Sequence, residues 1–139
     1  MRISTKGRYA IRLMLDLAAN AAGEPIRLKD TAKRQNISEK YLEQIISVLN
    51  KAGYVKSTRG PQGGYLPACS PSEITVGEIL RVMEGNLAPV DCILEDHPAC
   101  GREAHCASRI LWRKVDQAVG EVVDHVTLQD LLSWETAEK

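Results

Sequence analysis

Three of the four cysteines of this chain lie close together, at Cys92, Cys100 and Cys106, separated by 7 and 5 residues. Thiolates bind zinc and iron–sulfur clusters. Zinc knuckles commonly space their cysteines about two to four residues apart, so the wider gaps favour a loop that wraps a larger inorganic core. The alternatives are a zinc site and three free surface thiols. The segment predicts a metal site whose ligands are Cys92, Cys100 and Cys106.

A second group of side chains suits hydrogen bonding to DNA bases. Ser38 is a favoured N-cap residue, and the apolar residues that follow it at helical spacing predict a helix. Near the start of such a helix, Gln44 can pair with adenine and Glu43 can accept from cytosine in a major groove. The alternative is an ordinary solvated helix face. The DNA-contacting residues predicted here are Ser38, Lys40, Tyr41, Glu43 and Gln44.

A glycine-rich loop with a single arginine follows this helix. Two short β-prone runs flank the loop, which predicts a hairpin with an exposed tip. Glycine permits a close backbone approach, and arginine favours a narrow, electronegative minor groove. The alternative is a flexible turn. The residues predicted to contact DNA are Arg59, Gly60, Pro61, Gly63 and Gly64, with Lys29, Lys40 and Lys56 placed for phosphates.

The elements that must position these residues follow from apolar periodicity and from the breakers between periodic segments. Helices are predicted at about 6–22, 28–35, 39–51, 75–84, 107–125 and 127–134. Helix, short turn, helix and hairpin is the order of a winged helix-turn-helix module. The predicted fold is mainly α with a small β-hairpin wing, carrying a long dimerisation helix. The predicted units are a DNA-binding domain over 1–84 (helix-turn-helix about 28–51, wing about 54–68), a cluster-binding loop over 85–106, and the dimerisation and C-terminal helices over 107–134.

The longest predicted helix has a seam of apolar residues at alternating spacings of three and four. This spacing is typical of helices that pair with one another. A palindromic operator also requires two reading heads, one for each half-site. The chain is therefore predicted to form a homodimer through Trp112, Val115, Val119 and Val122.

The charge distribution agrees with a polyanionic partner at one end of the chain. Residues 1–70 carry 12 Lys and Arg against 5 Asp and Glu, a net +7, whereas residues 71–139 carry 6 against 13, a net −7. A basic half joined to an acidic half indicates that the first half meets nucleic acid. The alternative is chance segregation of charge between two short segments.

Several other classes of protein are disfavoured by what the sequence lacks. It has no apolar run of the roughly 18 residues that a membrane span needs, and no secretory signal at its start. It has no Cys-x-x-Cys motif, phosphate loop or Ser/His/Asp arrangement. We therefore expect a cytoplasmic protein that is not an enzyme and has no small-molecule substrate. A small thiol redox or metal-handling protein is the alternative from a different class.

The stretches 1–10, 41–44 and 59–65 resemble the signature stretches of the IscR/NsrR/CymR winged-helix regulators, and 110–113 and 126–132 are most similar to the IscR branch. The resemblance covers nearly the whole chain. It implies a homodimer that represses or activates transcription and binds a 2Fe–2S cluster through Cys92, Cys100 and Cys106. It also implies that Glu43 discriminates between classes of operator. A nitric-oxide-sensing or cysteine-metabolism regulator of the same fold is the alternative.

Two positions depart from this family pattern and leave the fourth cluster ligand open. Arg109 stands where the IscR branch has a histidine, and Arg8 stands where some NsrR proteins use an acidic residue. Neither arginine is an iron ligand. Cys69 is also expected to be packed as a small hydrophobe without a role. The candidates for the fourth ligand are His105, His97, Glu103, Asp96, Cys69 and a small molecule.

Overall fold

The computed structural model of the chain describes residues 2–98 and 100–138. It contains six α-helices and one two-stranded antiparallel sheet in these residues, in the order helix, helix, helix, hairpin, helix, helix, helix. Single 3-10 turns lie at Pro71–Glu73, Asp91–Ile93 and Glu103–His105. The elements are α1 Thr5–Asn20, α2 Leu28–Gln35, α3 Glu39–Lys51, β1 Val55–Thr58, β2 Gly64–Pro67, α4 Val76–Glu84, α5 Ala107–Val123 and α6 Leu128–Ala137.

One aliphatic core holds the first four helices, the hairpin and α6 together. Apolar residues at helical spacing on α1 and α3 face each other and are almost fully buried, and this chain uses no phenylalanine to fill the space between them. The core validates the periodicity argument for both helices. The predicted fold class, a mainly helical winged domain, is confirmed. The central residues are Leu13, Met14, Leu17, Leu42, Ile45, Leu49, Ile74, Ile79 and Leu128.

The connection between α2 and α3 is tight because a single residue reverses the chain. Asn36 adopts the left-handed conformation at φ 53°, which asparagine tolerates better than most residues. The Ser38 hydroxyl then accepts a hydrogen bond from the Tyr41 amide at 3.1 Å, as its N-cap role predicts. This turn sets the direction in which α3 leaves α2.

The wing is more than a hairpin. Val55 pairs with Pro67, and the register runs to Thr58 opposite Gly64. On its other side, β2 pairs with Ile26: Ile26 N donates to Tyr65 O at 2.9 Å and Tyr65 N donates to Ile26 O at 2.8 Å. The segment before α2 therefore adds one isolated bridge to the wing, which periodicity does not predict because the pairing is long-range.

The last helix returns to the first domain. The Thr127 hydroxyl accepts from Asp130 N at 3.1 Å, which completes the predicted cap of α6. Thr75 and Thr127 pair as an isolated bridge, and Leu128 is fully buried in the core formed with α1. The α6 helix therefore packs against the same core as the winged domain rather than extending from α5.

The helices differ from their predicted bounds mainly at the ends. The first ends at Asn20 rather than near residue 22, and α6 continues to Ala137. Two single 3-10 turns lie within residues 85–106, where a loop was predicted. Within residues 2–98 and 100–138, no helix combines the length and the apolar character needed to cross a bilayer.

Candidate nucleic-acid interface and cysteine loop

The outward face of α3 presents the side chains predicted to read bases. Four of the five predicted residues are exposed; we refer to these four as the recognition face: Ser38, Lys40, Glu43 and Gln44. They lie on the first two turns of α3, opposite the buried Leu42, Ile45 and Ile46. A helix with one buried stripe and donors and acceptors on its outer side can enter a major groove.

Tyr41 departs from the prediction that it points outward with the other four residues. Its ring is half-buried and stands edge-on to Tyr9, with centroids 5.7 Å apart and planes at 88°. The guanidinium carbon of Arg12 lies over the Tyr9 ring, 5.3 Å from its centroid. Tyr41 therefore packs α3 against α1, with only part of its ring at the surface.

The wing tip exposes Arg59, Gly60 and Pro61, as predicted. Gly63 and Gly64 are half-buried instead. A Cβ on Gly63 would lie 2.2 Å from the Thr58 carbonyl oxygen, and one on Gly64 would lie 2.3 Å from the Ile26 carbonyl oxygen. Both distances are shorter than any real contact, so these two glycines are required by packing within the wing. This differs from the prediction from sequence, in which Gly63 and Gly64 allow the backbone to approach DNA closely.

A buried carboxylate joins α1 to α2 beside this interface. Asp16 accepts hydrogen bonds from Thr31 at 2.7 Å, from Arg34 at 2.7 and 2.9 Å, and from Gln35 at 3.1 Å. Burial alone would raise the pKa of Asp16, but the hydrogen bonds from Arg34, Thr31 and Gln35 outweigh it, so its pKa lies below the ordinary value. Asp16 is not among the residues predicted from the sequence, although a lone acidic residue between Leu15 and Leu17 of an apolar stripe is a signal for such a group.

The predicted cluster-binding loop, residues 85–106, is here called the cysteine loop. Cys92 lies in the Asp91–Ile93 turn and Cys106 precedes α5 as its N-cap residue; both are half-buried, while Cys100 is exposed. The Arg109 side chain donates from Nε to the Cys92 carbonyl oxygen at 3.1 Å. Arg109 therefore connects the turn that carries Cys92 to the first turn of α5.

The thiols are suitable ligands by their chemistry, but the structure does not assemble them into a site. Among the described residues, no three His, Cys, Asp or Glu side chains converge as metal ligands do. The Ser108 hydroxyl, 3.2 Å from the Cys106 sulfur, lowers the pKa of that thiol. Of the candidate fourth ligands, Glu103 accepts a hydrogen bond from Cys100 N at 3.0 Å. Cys69 is exposed, contrary to its predicted burial.

The α5 helix lacks a buried residue, although it is 17 residues long and amphipathic. The predicted seam residues Trp112, Val115 and Val119 are half-buried, and Val122 is 62% exposed. Ile110 and Leu111 beside them are 59% and 50% exposed. Such a concentration of exposed aliphatic side chains on one helix is unusual for a monomer.

A tight helix-turn-helix, a hairpin wing and a long amphipathic helix together define a winged-helix DNA-binding regulator. The sequence model of a family described as Rrf2, iron-dependent transcriptional regulator, matches residues 3–133. The chain belongs to the Rrf2 family of transcriptional regulators. Its relatives are regulators of transcription rather than enzymes.

Individual relatives within the family cover almost the whole chain. The HTH-type transcriptional regulator CymR of Bacillus subtilis strain 168 is 44% identical over 139 residues, which are 100% of this chain and 95% of the relative. A solved structure of CymR, described as the global cysteine regulator of B. subtilis, matches with a TM-score of 0.78 and 46% identity, covering 96% of this chain and 98% of that one. The solved structure of T. potens IscR matches with a TM-score of 0.77 and 44% identity, covering 96% and 87%. The resemblance to the IscR/NsrR/CymR regulators is confirmed, and the chain is similar to both CymR and IscR.

Proposed function

We propose that this protein is a homodimeric repressor or activator of transcription whose DNA binding responds to a 2Fe–2S cluster held by the cysteine loop, and that it regulates genes of iron–sulfur cluster biogenesis. The observation that carries the proposal is the position of Cys106 at the start of the uncovered helix α5, with Arg109 one turn further on and bonded to the backbone of Cys92. The protein would act in the cytoplasm, where its DNA target lies.

The DNA-binding part of the proposal rests on the recognition face and the wing tip. Both surfaces are exposed, and they belong to the basic half of the chain. The recognition face can hydrogen-bond to base edges, while Arg59 extends from the tip toward an adjacent minor groove. Two copies related by a two-fold axis would place two such units on a palindromic operator.

The proposal that the protein is a dimer rests on α5. Its uncovered aliphatic side chains can be buried by the same helix of a second copy, which also satisfies the symmetry of the operator. The α5 helix is in turn tied to the winged domain, since Arg81 of α4 forms a bidentate ion pair with Asp124 at its end. A change at the start of α5 can therefore alter how the two winged domains are spaced.

The proposal that the loop binds a cluster rests on the chemistry of its cysteine thiols. Cys92, Cys100 and Cys106 are the ligands that the chain offers to a cluster, and a bound cluster would supply a redox-sensitive, removable link between them. In the described structure these thiols do not converge, and the Arg109 side chain links the turn that carries Cys92 to the first turn of α5. Drawing the three thiols together would order the loop and fix the start of α5, which is a coupling between two sites.

The similarity to CymR favours a second candidate, a regulator of cysteine metabolism with the same DNA-binding fold. The alignment with that relative covers the whole of this chain at 44% identity, and its structure is described as the global cysteine regulator of B. subtilis. In this candidate the three loop thiols carry no cluster.

Anaerobic purification separates the two candidates. Under the first, the protein shows visible absorption, contains iron and acid-labile sulfide in equal amounts, and changes its affinity for a selected palindromic duplex when the iron is removed. A colourless protein that contains neither iron nor sulfide after anaerobic reconstitution, and that binds the duplex with unchanged affinity, would eliminate the cluster and leave the second candidate.

A further inference from the structure

Arg27 occupies a helix position that its residue type does not suit. It is the N-cap residue of α2, where serine, threonine, aspartate and asparagine are favoured because their side chains accept from the first free amides. Arg27 makes no such hydrogen bond. The Arg27 side chain therefore does not cap α2, and its role must come from a contact outside this helix.

The guanidinium of Arg27 contacts the wing. Its Nη2 donates to the carbonyl oxygen of Pro61 at 2.6 Å, across 34 residues of sequence. The preceding residue, Ile26, is bonded through both backbone groups to Tyr65 on β2. Residues 26 and 27 thus hold the wing at two places: the backbone of Ile26 holds its second strand, and the side chain of Arg27 holds its tip.

The tip needs a restraint of this kind. Between β1 and β2 the chain runs through Arg59-Gly60-Pro61-Gln62-Gly63, which contains two glycines, and Gly60 is exposed with a φ of +104°. One internal backbone bond, from Gly63 N to Gly60 O at 2.9 Å, closes the turn. A mobile tip would lose conformational entropy whenever Arg59 entered a groove, and restraint before binding reduces that loss.

We propose that Arg27 is a positioning residue for DNA recognition: its hydrogen bond to Pro61 holds the wing tip in the conformation from which Arg59 reaches DNA. The consequence for DNA rests on the proposed function, whereas the restraint of the wing does not. The competing role for an exposed arginine here is a direct contact to a DNA phosphate. The two roles predict different results when Arg59 is absent. A positioning residue then has no effect on DNA affinity, because it acts only through Arg59, whereas a phosphate contact keeps its effect.

A double-mutant cycle distinguishes them. Affinities of the parent, Arg27→Ala, Arg59→Ala and the double variant are measured at matched salt for a duplex selected by the parent from a random-sequence pool. Arg27→Ala is expected to weaken binding by about 3- to 10-fold in the parent, the range for one lost hydrogen bond, and by less than about twofold when Arg59 is already absent. An equal loss in both backgrounds identifies a phosphate contact, and no loss in the parent eliminates any role; either result overturns the proposal.

Lys29→Ala is the matched control, since it removes one positive charge from the same helix. As a phosphate contact it should cost the same factor with and without Arg59. Its loss should also reduce the slope of log affinity against log salt by about 0.9.

A second measurement needs no DNA. Hydrogen exchange of the Gly63 amide reports on closure of the tip, and that of the Tyr65 amide reports on pairing with Ile26. Arg27→Ala is expected to speed exchange at Gly63 several-fold and to leave Tyr65 protected. Unchanged exchange at Gly63 overturns the restraint itself. Faster exchange in a protein that binds no duplex would leave the restraint intact and refute the proposed function instead.

Discussion

At the scale of single residues, Glu43 on α3 and Asp16 on α1 are carboxylates in opposite surroundings. Glu43 lies on the recognition face with no partner among the described side chains, so its carboxylate can accept from a base or repel phosphates. Asp16, in contrast, is saturated by four hydrogen bonds. The Glu43 carboxylate is therefore open to a partner from outside the chain, whereas the Asp16 carboxylate joins α1 to α2.

Glu43→Ala is expected to broaden the choice of operator. Removing the carboxylate relieves repulsion at sites that offer no donor, and it gives up a hydrogen bond at sites that do. The measurement is the ratio of affinities for two duplexes that differ only at the base pairs facing α3. Glu39→Ala, on the first turn of the same helix, controls for the loss of one negative charge. An unchanged ratio in Glu43→Ala would show that this residue does not select operators.

Asp16→Asn is expected to lower the free energy of unfolding by about 1–3 kcal/mol at pH 7, because the charge-assisted bonds to Arg34 are lost. The lower figure is favoured by the 39% exposure of the Arg34 side chain, which screens the pair. The folded pKa of Asp16 lies below its unfolded value of about 3.9. Its contribution is therefore complete above that value and declines as the pH falls through the folded pKa.

Urea unfolding at pH 7 and at pH 3 measures this effect. The difference between parent and Asp16→Asn should shrink at the lower pH, while the exposed control Glu24→Gln should stay close to the parent at both values. A difference that is the same at both pH values would mean that the charge of Asp16 is not what stabilises the contact between α1 and α2.

At the scale of elements, α5 and the wing are the two parts whose surfaces the rest of the chain leaves open. The α5 helix has no buried residue, and the Arg81–Asp124 pair ties its end to α4. The base of the wing is anchored in the core by Val55, whereas its tip is held by Arg27. The surfaces that stay open are therefore one face of α5 and the tip of the wing.

Val119→Asp is expected to break the proposed dimer. Val119 is half-buried between Val115 and Val122 on the predicted seam of α5. An unpaired carboxylate buried between two copies of this seam would cost several kcal/mol. Sedimentation at micromolar concentration measures the result. Gln117→Asp, on an exposed part of the same helix, should remain dimeric. A Val119→Asp protein that stays dimeric would show that the subunits associate through another surface.

At the scale of the whole molecule, the cysteine loop lies between the two parts that it would coordinate. It begins after α4 of the winged domain and ends at the first residue of the uncovered helix. The end of α5 is tied to α4 by the Arg81–Asp124 pair, and its start is tied to the cysteine loop by Arg109. Under the proposed function, a change in the loop would reach the winged domain through α5.

Replacing Cys92, Cys100 or Cys106 by Ala should each abolish or greatly reduce iron incorporation, since thiolate is the strong soft ligand that the loop offers. The fold should persist, because these residues lie outside the aliphatic core. Iron and sulfide assays after anaerobic reconstitution measure the first effect, and thermal unfolding measures the second. Cys69→Ala removes the cysteine outside the loop and is expected to keep its iron, and loss of iron in this variant would identify Cys69 as the fourth ligand. Full iron in all three loop variants would refute the cluster assignment.

Short-range interactions explain what could be predicted from the sequence alone. The helices follow from apolar spacing, and the hydroxyls of Ser38, Thr75 and Thr127 cap the helices after them through bonds to residues three positions away. The hairpin follows from its glycines and β-prone flanks. Each of these signals lies within one element, so no knowledge of the distant chain is needed to read it.

Long-range contacts decided the rest. Tyr41 is half-buried because its ring packs edge-on against the ring of Tyr9. Gly64 is required because the backbone of Ile26 passes close to it. Asp16 is buried with partners that lie 15 to 19 residues away, and Arg27 contacts a carbonyl 34 residues away. None of these pairs shares a local pattern, since each exists only after separate elements have packed. The sequence by itself determined which elements form, and the tertiary structure decided which of their side chains meet.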